Sequence, residues 1–131
     1  MEKKIVKDDL KIEKACQSDW ESVLQILKET GLKTYFSGNE HYNTFYIVKE
    51  LETKQIICCF SIDYEDTVGI LKSFAIEKNL HGKGLGKKVV NKIPEIAKRI
   101  GLKKLYATSW EAPDFWRKTD LKEITRYFSL Y

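Results

Sequence analysis

Three glycines alternate with other residues in the run His81-Gly82-Lys83-Gly84-Leu85-Gly86. A glycine backbone turns tightly, and its missing Cβ lets a ligand approach the chain closely. The run follows a strand-like stretch and precedes a helix-like one, so its last amides would open a helix. Unpaired N–H groups and the helix dipole at such a place favour an anion, in particular a pyrophosphate. The spacing therefore predicts an anion-binding loop.

Positive charge is concentrated in and just after this loop. The segment from Lys83 to Lys104 contains eight basic residues and one acid, Glu95, so it carries +7, whereas the whole chain carries +4 and the remainder −3. Such asymmetry is typical either of a solvated lysine-rich helix face or of a surface that meets an anionic partner. Because the basic residues stand beside the glycine run, the anion-binding interpretation is favoured.

Two nucleotide-binding patterns can be compared with the glycine run. A Walker loop that begins at Gly82 requires a glycine at position 87, followed by Lys and Ser or Thr. A dinucleotide-binding fingerprint requires a glycine at the same position, in the first βα turn of a parallel sheet. Position 87 is a lysine, and the run follows several strand-like stretches. Neither nucleotide pattern fits.

The elements that position the loop are indicated by apolar periodicity and turn residues. Strands are predicted over residues 10–15, 44–49, 55–64, 67–76, 104–108 and 121–128. Three of these strands follow one another with short polar turns, which indicates an antiparallel meander. The fold class is therefore α/β, a mixed sheet flanked by helices, in a single domain over residues 1–131.

Helices are predicted on either side of the meander. The first would be capped by Ser18, with Glu21 at capping-box spacing, and would end at Gly31. A second is predicted over 85–100, and Pro94 inside it would produce a kink because proline removes a backbone hydrogen bond. A short helix is predicted over 113–118, whereas residues 33–42 are loop-like, with or without a short helix of their own.

Composition places the chain among intracellular domains. Its 131 residues are 43% hydrophobic, and they contain neither a long apolar segment nor an apolar leader after the charged start. The three cysteines are Cys16, Cys58 and Cys59, an odd number without metal-ligand spacing. We therefore expect a cytoplasmic location without membrane association, reduced buried thiols at Cys58 and Cys59, and no metal site.

Several runs together resemble one known family, the Gcn5-related N-acetyltransferases (GNAT). Leu71-Lys72-Ser73-Phe74-Ala75-Ile76, followed by the glycine run and its helix, resembles the family's motif A, whose loop pattern is Gln/Arg-x-x-Gly-x-Gly/Ala. His81 departs from the first position of that pattern. Residues 105–108 are similar to the family's fifth strand and 112–118 to its motif B helix. The resemblance implies a GNAT-like acyl-CoA N-acyltransferase fold, with a mostly antiparallel central sheet, and an enzyme that uses acetyl-CoA.

The resemblance also implies which residues hold the cofactor. Backbone groups of Phe74 and Ile76 would pair with the pantetheine, and amides from Lys83 to Lys87 would hold the pyrophosphate. A basic residue such as Lys88 would meet the 3′-phosphate. The full set of implied acetyl-CoA contacts is Phe74, Ala75, Ile76, His81, Gly82, Lys83, Gly84, Leu85, Gly86, Lys87 and Lys88.

The catalytic groups are less clearly indicated. The Ile76 amide would stabilise the oxyanion, but the family's motif B tyrosine, its frequent general acid, is replaced here by Trp116. An indole N–H is not a practical proton donor, so Trp116 would pack against the pantetheine. Tyr106 or Tyr127 would serve as acid, or the thiolate would leave as an anion; an ordinary core or surface role is favoured for both tyrosines. Glu65, with Asp66 beside it, is the candidate base acting through water; a plain turn role is favoured for both. His81 is a further candidate base, or a phosphate contact.

The resemblance implies that the acceptor enters between the early helices and the far side of the sheet. Candidate substrate residues are Tyr35, Phe36, Lys72 and Ser73, with Glu40, His41 and Tyr42 nearby. A lysine and a serine at 72 and 73 would hold a substrate carboxylate, although a solvent-facing lysine is an equal alternative. The predicted acceptor is a small or amino-acid-like primary amine that attacks acetyl-CoA directly in a ternary complex; a protein lysine or N-terminus remains an alternative.

Two rival functions and one expectation about assembly remain. A catalytically degenerate CoA-binding regulator is the first rival, because the usual tyrosine and glutamate are missing. A nucleic-acid binder is the least favoured, because no stacking aromatics are interleaved with the basic residues. The family's seventh strand is expected to be missing, and an unpaired sheet edge of that kind would favour a homodimer.

Overall fold

The computed structural model describes residues 10–32, 41–108, 122–124 and 127–129. Its strands are β1 (Leu10–Lys14), β2 (Phe45–Glu50), β3 (Ile56–Glu65), β4 (Val68–Ile76), β5 (Lys104–Thr108), β6 (Lys122–Ile124) and β7 (Tyr127–Ser129). Its α-helices are α1 (Trp20–Glu29), α2 (Leu85–Val90) and α3 (Ile93–Arg99). The mixed α/β fold class and the predicted strands from β1 to β5 are confirmed within about two residues at each end.

The seven strands form one sheet in the order β1-β2-β3-β4-β5-β7-β6. The pairs β1–β2, β2–β3, β5–β7 and β6–β7 are antiparallel. A connection of two residues joins β3 to β4 and requires antiparallel neighbours, so the predicted meander is confirmed. The pair β4–β5 is parallel, with Val68 opposite Lys104 and Leu71 opposite Ala107.

The chain divides into two compact units, Met1–Ser61 with Ser73–Gly86 and Ile62–Lys72 with Lys87–Tyr131. In the first unit, α1 buries one face against the strands. This core consists of Ala15, Val23, Ile26, Leu27, Phe45, Ile47, Cys59 and Ala75. Trp20 lies at its margin, with its ring centroid 5.1 Å from that of Phe45 in an edge-to-face arrangement. The packing face of α1 is the stripe formed by its buried residues Val23, Ile26 and Leu27.

The start of α1 differs from the prediction, whereas its end agrees. A 3₁₀ turn, Gln17–Asp19, precedes the helix. The Asp19 carboxylate accepts a hydrogen bond from the Cys16 amide at 2.9 Å, so the predicted cap at Ser18 with Glu21 is wrong. Gly31 ends the helix with φ +75°, as expected for a left-handed C-terminal glycine.

The predicted kinked helix over 85–100 is two helices. The Asn91 amide bonds the Lys87 carbonyl at 3.1 Å at the end of α2, and α3 then begins at Ile93. Pro94 stands in the first turn of α3, where a helix has no use for a backbone N–H donor. The proline therefore starts a helix and does not bend one.

The predicted strand over 121–128 is also two elements, β6 and β7. Ile124 lies opposite Tyr127, and β7 pairs with β5, where Thr108 faces Tyr127. The expectation of a missing seventh strand is therefore wrong. The β5 edge that favoured a homodimer is covered by β7 from the same chain, and this argument for a dimer is lost.

In the second unit, the first residues of β4 pack closely on the segment that follows α3. A Cβ built at Gly69 would meet Leu102 Cδ1 at 2.8 Å and Leu105 Cδ1 at 3.2 Å. Both leucines are buried, so glycine is the residue that fits. None of the helices in the described part of the chain is long and apolar enough to cross a bilayer.

Candidate active site

The strand β4 changes character at Ser73, which has a φ of +55°. A residue with a Cβ in this left-handed region costs about 1–2 kcal/mol, so the surrounding structure must impose the conformation. The two parts of the strand are called here the first half, Val68–Lys72, and the second half, Ser73–Ile76. The first half pairs with β5, from Val68 opposite Lys104 to Leu71 opposite Ala107.

The backbone groups of the second half have a defined direction. The Glu77 amide, directly after β4, donates to the Ile57 carbonyl on β3 at 2.8 Å. Successive strand residues direct their N–H and C=O groups to alternate edges. Phe74 and Ile76 therefore direct theirs away from β3. This is the geometry that an extended ligand needs in order to add to a strand edge.

Side chains on both faces hold the second half. Ala75 is buried in the core beneath α1. Phe74 is half-buried, and its ring lies 6.3 Å from that of Phe60, which in turn stacks on Tyr46 at 5.3 Å. Phe60 has no exposed surface. The second half is thus packed on both of its faces, and it is its edge that a ligand would have to use.

Two buried thiols lie on β3 beside this strand. Burial raises the pKa of Cys59 to about 12 and raises the pKa of Cys58 well above its ordinary value. Cys59 Sγ lies 3.9 Å from the Ser73 carbonyl oxygen. All three cysteines of the chain are free, so the prediction of reduced, buried thiols at 58 and 59 is confirmed, and both stay protonated near neutral pH.

A short 3₁₀ turn, Lys78–Leu80, joins β4 to the glycine loop. The Leu80 amide donates to the Glu77 carbonyl at 2.9 Å. The Asn79 side chain donates to the Glu77 carboxylate at 3.0 Å. His81 Nε2 lies 2.7 Å from the Ile76 carbonyl oxygen. The connection is therefore closed by bonds at both of its ends.

The glycine loop has the backbone that its composition predicts. Gly82 and Gly84 have φ values of +79° and +75°, and a Cβ at either would meet no atom within 4 Å. These glycines are required by conformation, and the space beside them is open. The helix α2 begins directly after them with Leu85 and Gly86, both buried. The loop is thus anchored at its helical end and exposed before it.

The lysines around the loop differ in exposure. Lys83 and Lys87 are exposed, and Lys88 is half-buried. Ammonium groups near a helix start and a pair of left-handed glycines create a positive potential suited to a phosphate group. Among the described residues, no cluster of three or more His, Cys, Asp or Glu side chains could hold a metal ion.

The candidate residues for acceptor and catalysis are dispersed. Lys72 Nζ lies 3.1 Å from a carboxylate oxygen of Asp63, and both side chains are about half exposed. Glu65 ends β3, and ten residues, 66–75, separate it from Ile76 in the chain. Tyr106 is half-buried opposite Ile70. Glu65, Lys72 and Tyr106 thus lie on three different strands, β3, β4 and β5.

Three predicted site residues, Tyr35, Phe36 and Trp116, lie outside the described residues. The same holds for Glu40 and for the predicted helix over 113–118. His41 and Tyr42 belong to a described 3₁₀ turn, His41–Thr44. Their proposed roles stay predictions.

Sequence reasoning missed three features of this region. It did not indicate the left-handed Ser73, the partnership of Asp63 with Lys72, or the position of Lys14. The Lys14 ammonium lies 4.9 Å from the Tyr46 ring centroid and contacts the Asn43 carbonyl, and burial lowers its pKa. The only local signal for such contacts is the alternation of side chains along strands, which does not identify partners.

Solved structures with this fold include several acetyltransferases. Rv2747 from Mycobacterium tuberculosis, solved with CoA, is 18% identical with a TM-score of 0.68, over 87% of this chain and 72% of that one. Spermidine N-acetyltransferase from Vibrio cholerae, with CoA and spermine, is 15% identical with a TM-score of 0.68, over 93% and 92%. At these identities the likeness shows the fold.

N-acetylglutamate synthase from Neisseria gonorrhoeae, with coenzyme A and L-arginine, is 16% identical with a TM-score of 0.74. The alignment covers 92% of this chain but 32% of the synthase, so the chain spans about a third of that protein. No curated protein matches the sequence. The acetyltransferase (GNAT) family model matches residues 12–117. That match covers most of the chain, and the protein therefore belongs to the GNAT family of acetyltransferases.

Proposed function

We propose that this chain, as one domain, transfers the acetyl group of acetyl-CoA to the primary amine of a small or amino-acid-like molecule. The proposal rests on two backbone features that follow one another along the chain. The second half of β4 directs the polar groups of Phe74 and Ile76 away from β3, and an open left-handed glycine loop follows within ten residues. A ligand with an amide-rich arm and a pyrophosphate matches this order.

Each part of acetyl-CoA has a candidate partner. The pantetheine arm pairs with the backbone of Phe74 and Ile76, alongside Ala75. The pyrophosphate is held by amides from Lys83 to Lys87, which Gly84 and its open surroundings leave accessible. Lys88 meets the 3′-phosphate as a point charge.

The transfer follows from this placement. The amine lone pair attacks the thioester carbonyl carbon, and the Ile76 N–H donates to the oxygen as negative charge develops there. The tetrahedral intermediate then collapses, the C–S bond breaks and CoA leaves as a thiolate or thiol. The amine loses a proton to water or to a base during the attack.

The next question is which groups act as general acid and general base. Trp116 cannot supply a proton, so the thiolate leaves unprotonated or is protonated by Tyr106. Glu65 stands before the first residue of β4 and Ile76 is the last. We therefore assign Glu65 a turn role and leave the base to solvent.

The acceptor is inferred from charge and from similar proteins. Two of the similar structures are an N-acetylglutamate synthase and a spermidine N-acetyltransferase. On β4, Lys72 and Ser73 offer a cation and a hydroxyl for a substrate carboxylate, once Lys72 exchanges its contact with Asp63. Tyr35 and Phe36 would cover the acceptor. A protein lysine or N-terminus is the competing acceptor class.

Calorimetric titration with acetyl-CoA tests the cofactor. We expect micromolar binding by the wild type and at least a roughly hundredfold loss in Gly84→Glu, because a carboxylate placed where the pyrophosphate lies repels it. Gly31→Glu is the matched control, since Gly31 has the same φ of +75° and equally open surroundings. Equal binding by Gly84→Glu and the wild type would contradict the proposal.

An acceptor screen tests the reaction. Release of free thiol from acetyl-CoA is followed with amino acids, polyamines and a lysine peptide. We expect turnover with a small amine, and loss of turnover in Gly84→Glu. Binding of acetyl-CoA without turnover across the panel would instead support the regulatory CoA-binding alternative.

A further inference from the structure

His81 makes a contact that none of its sequence-based roles requires. Its Nε2 lies 2.7 Å from the carbonyl oxygen of Ile76, the last residue of β4. A carbonyl oxygen can only accept a hydrogen bond, so Nε2 must carry the proton. His81 therefore acts as a donor to the strand that the proposed function assigns to the pantetheine.

The contact spans the connection between strand and loop. The Glu77 amide is held by Ile57 at 2.8 Å, and the His81 amide lies 3.3 Å from the Lys78 carbonyl. The side-chain bond from His81 back to Ile76 closes the same segment a second time. Gly82 directly follows His81. The hydrogen bond between His81 and Ile76 therefore fixes the start of the glycine loop relative to the end of β4.

The same bond orients a particular peptide unit. The Ile76 carbonyl and the Glu77 amide belong to one planar peptide group. Ile57 holds the N–H side of that group and His81 holds the C=O side. A peptide plane that is held on both sides cannot rotate freely, so the Ile76 carbonyl keeps its direction.

We propose that His81 is a positioning residue, which aligns the glycine loop and the Ile76 backbone for acetyl-CoA before the ligand arrives. The proposal rests on the proposed function for the identity of the ligand. It also explains the departure from the loop pattern given above, because His, Gln and Arg all carry a side-chain N–H donor at this position. His81 then contacts neither the phosphates nor the amine through Nε2.

The test compares three substitutions at His81. Gln places its amide nitrogen near the position of His Nε2, whereas Asn reaches only to that of Nδ1, and Ala removes the donor. A hydrogen bond worth about 1 kcal/mol corresponds to roughly a fivefold change. We expect His81→Ala and His81→Asn to weaken acetyl-CoA binding roughly fivefold, and His81→Gln to stay within about twofold of the wild type.

Equal affinity in His81→Ala and the wild type would overturn the proposal. So would a loss in His81→Gln as large as that in His81→Ala, because a donor alone should restore the alignment. A fall in kcat without a change in affinity would instead assign His81 to proton transfer, which also overturns the positioning role.

Nitrogen-15 chemical shifts of the His81 ring test the bond without any ligand. We expect Nε2 to be protonated at neutral pH; a ring protonated at Nδ1 alone cannot donate to Ile76, and this result would refute the inference. If the wild type fails to bind acetyl-CoA, the proposed function is wrong, and His81 then has no role in aligning the backbone for that ligand. The ring measurement separates that outcome from the absence of the bond itself.

Discussion

The two halves of β4 differ in the kind of chemistry that they offer. The first half, Val68–Lys72, is laddered to β5 up to Leu71 and presents a charged side chain, Lys72, already in contact with Asp63. The second half, Ser73–Ile76, begins with a left-handed residue and directs backbone groups away from β3. One strand thus offers side-chain recognition before Ser73 and backbone recognition after it.

The second half, which the proposed function assigns to the cofactor, is therefore better defined than the first half, which it assigns to the acceptor. Backbone groups on a strand edge have a direction fixed by the hydrogen bonds of the neighbouring strand. Side chains such as Lys72 are half exposed, and their contacts can be exchanged. In the proposed function, binding of acetyl-CoA therefore depends on packing that holds a backbone, whereas acceptor choice depends on charges at the surface.

Removing the packing beneath the second half should have the largest effect. Phe60 is fully buried between Tyr46 and Phe74, so Phe60→Ala should lower the free energy of unfolding by about 3–5 kcal/mol through the cavity it leaves. Urea denaturation measures the change. Tyr64→Ala on the same strand is the control: Tyr64 is 57% exposed, and its loss should stay within about 0.5 kcal/mol. Equal changes in the two variants would mean that the second half is not held by its packing.

Changing Ser73, the first residue of the second half, should have an intermediate effect. A β-branched side chain tolerates a positive φ poorly, so Ser73→Val should lower the free energy of unfolding by about 1–2 kcal/mol and weaken acetyl-CoA binding. Ser73→Gly should keep the stability and the affinity of the wild type. Lys54→Val is the matched control, because Lys54 has a φ of +61° in the turn after β2. It should lose similar stability while the folded protein binds acetyl-CoA normally. Normal binding by folded Ser73→Val would show that the left-handed residue does not shape the cofactor end.

Changing the charge pair of the first half should have the smallest effect on stability and a selective effect on the acceptor. Lys72→Met should change the free energy of unfolding by less than about 0.5 kcal/mol, because the pair is solvated. It should raise KM roughly tenfold for an acceptor that carries a carboxylate. Asp63→Asn, which releases Lys72, should lower that KM.

The control for this pair is another exposed lysine. Lys11 lies 3.5 Å from Glu13 on β1, so Lys11→Met removes a comparable ion pair outside the proposed site. Its KM should match that of the wild type. Steady-state kinetics with one acidic and one uncharged amine decide the matter: a KM that rises equally for both would exclude recognition of a carboxylate by Lys72.

The parts of the fold that were predictable are those with a local cause. The strand over Lys104–Thr108 and the meander before the loop follow from apolar runs bounded by turn residues. The break before α3 was not predictable, because Pro94 is compatible with either a kink or a first turn. The two strands β6 and β7 have three residues each. Strands so short carry too little alternation to be separated in the sequence.

The sequence by itself determined the glycine loop, because left-handed backbone is a local property that glycine adopts without cost. It also determined the buried thiols and the membership of the GNAT family. Only the tertiary structure decided that Ser73 is left-handed, that Lys72 meets Asp63, and that His81 reaches back to Ile76. These contacts depend on the register between strands and on the path of the chain after β4, which no local preference specifies.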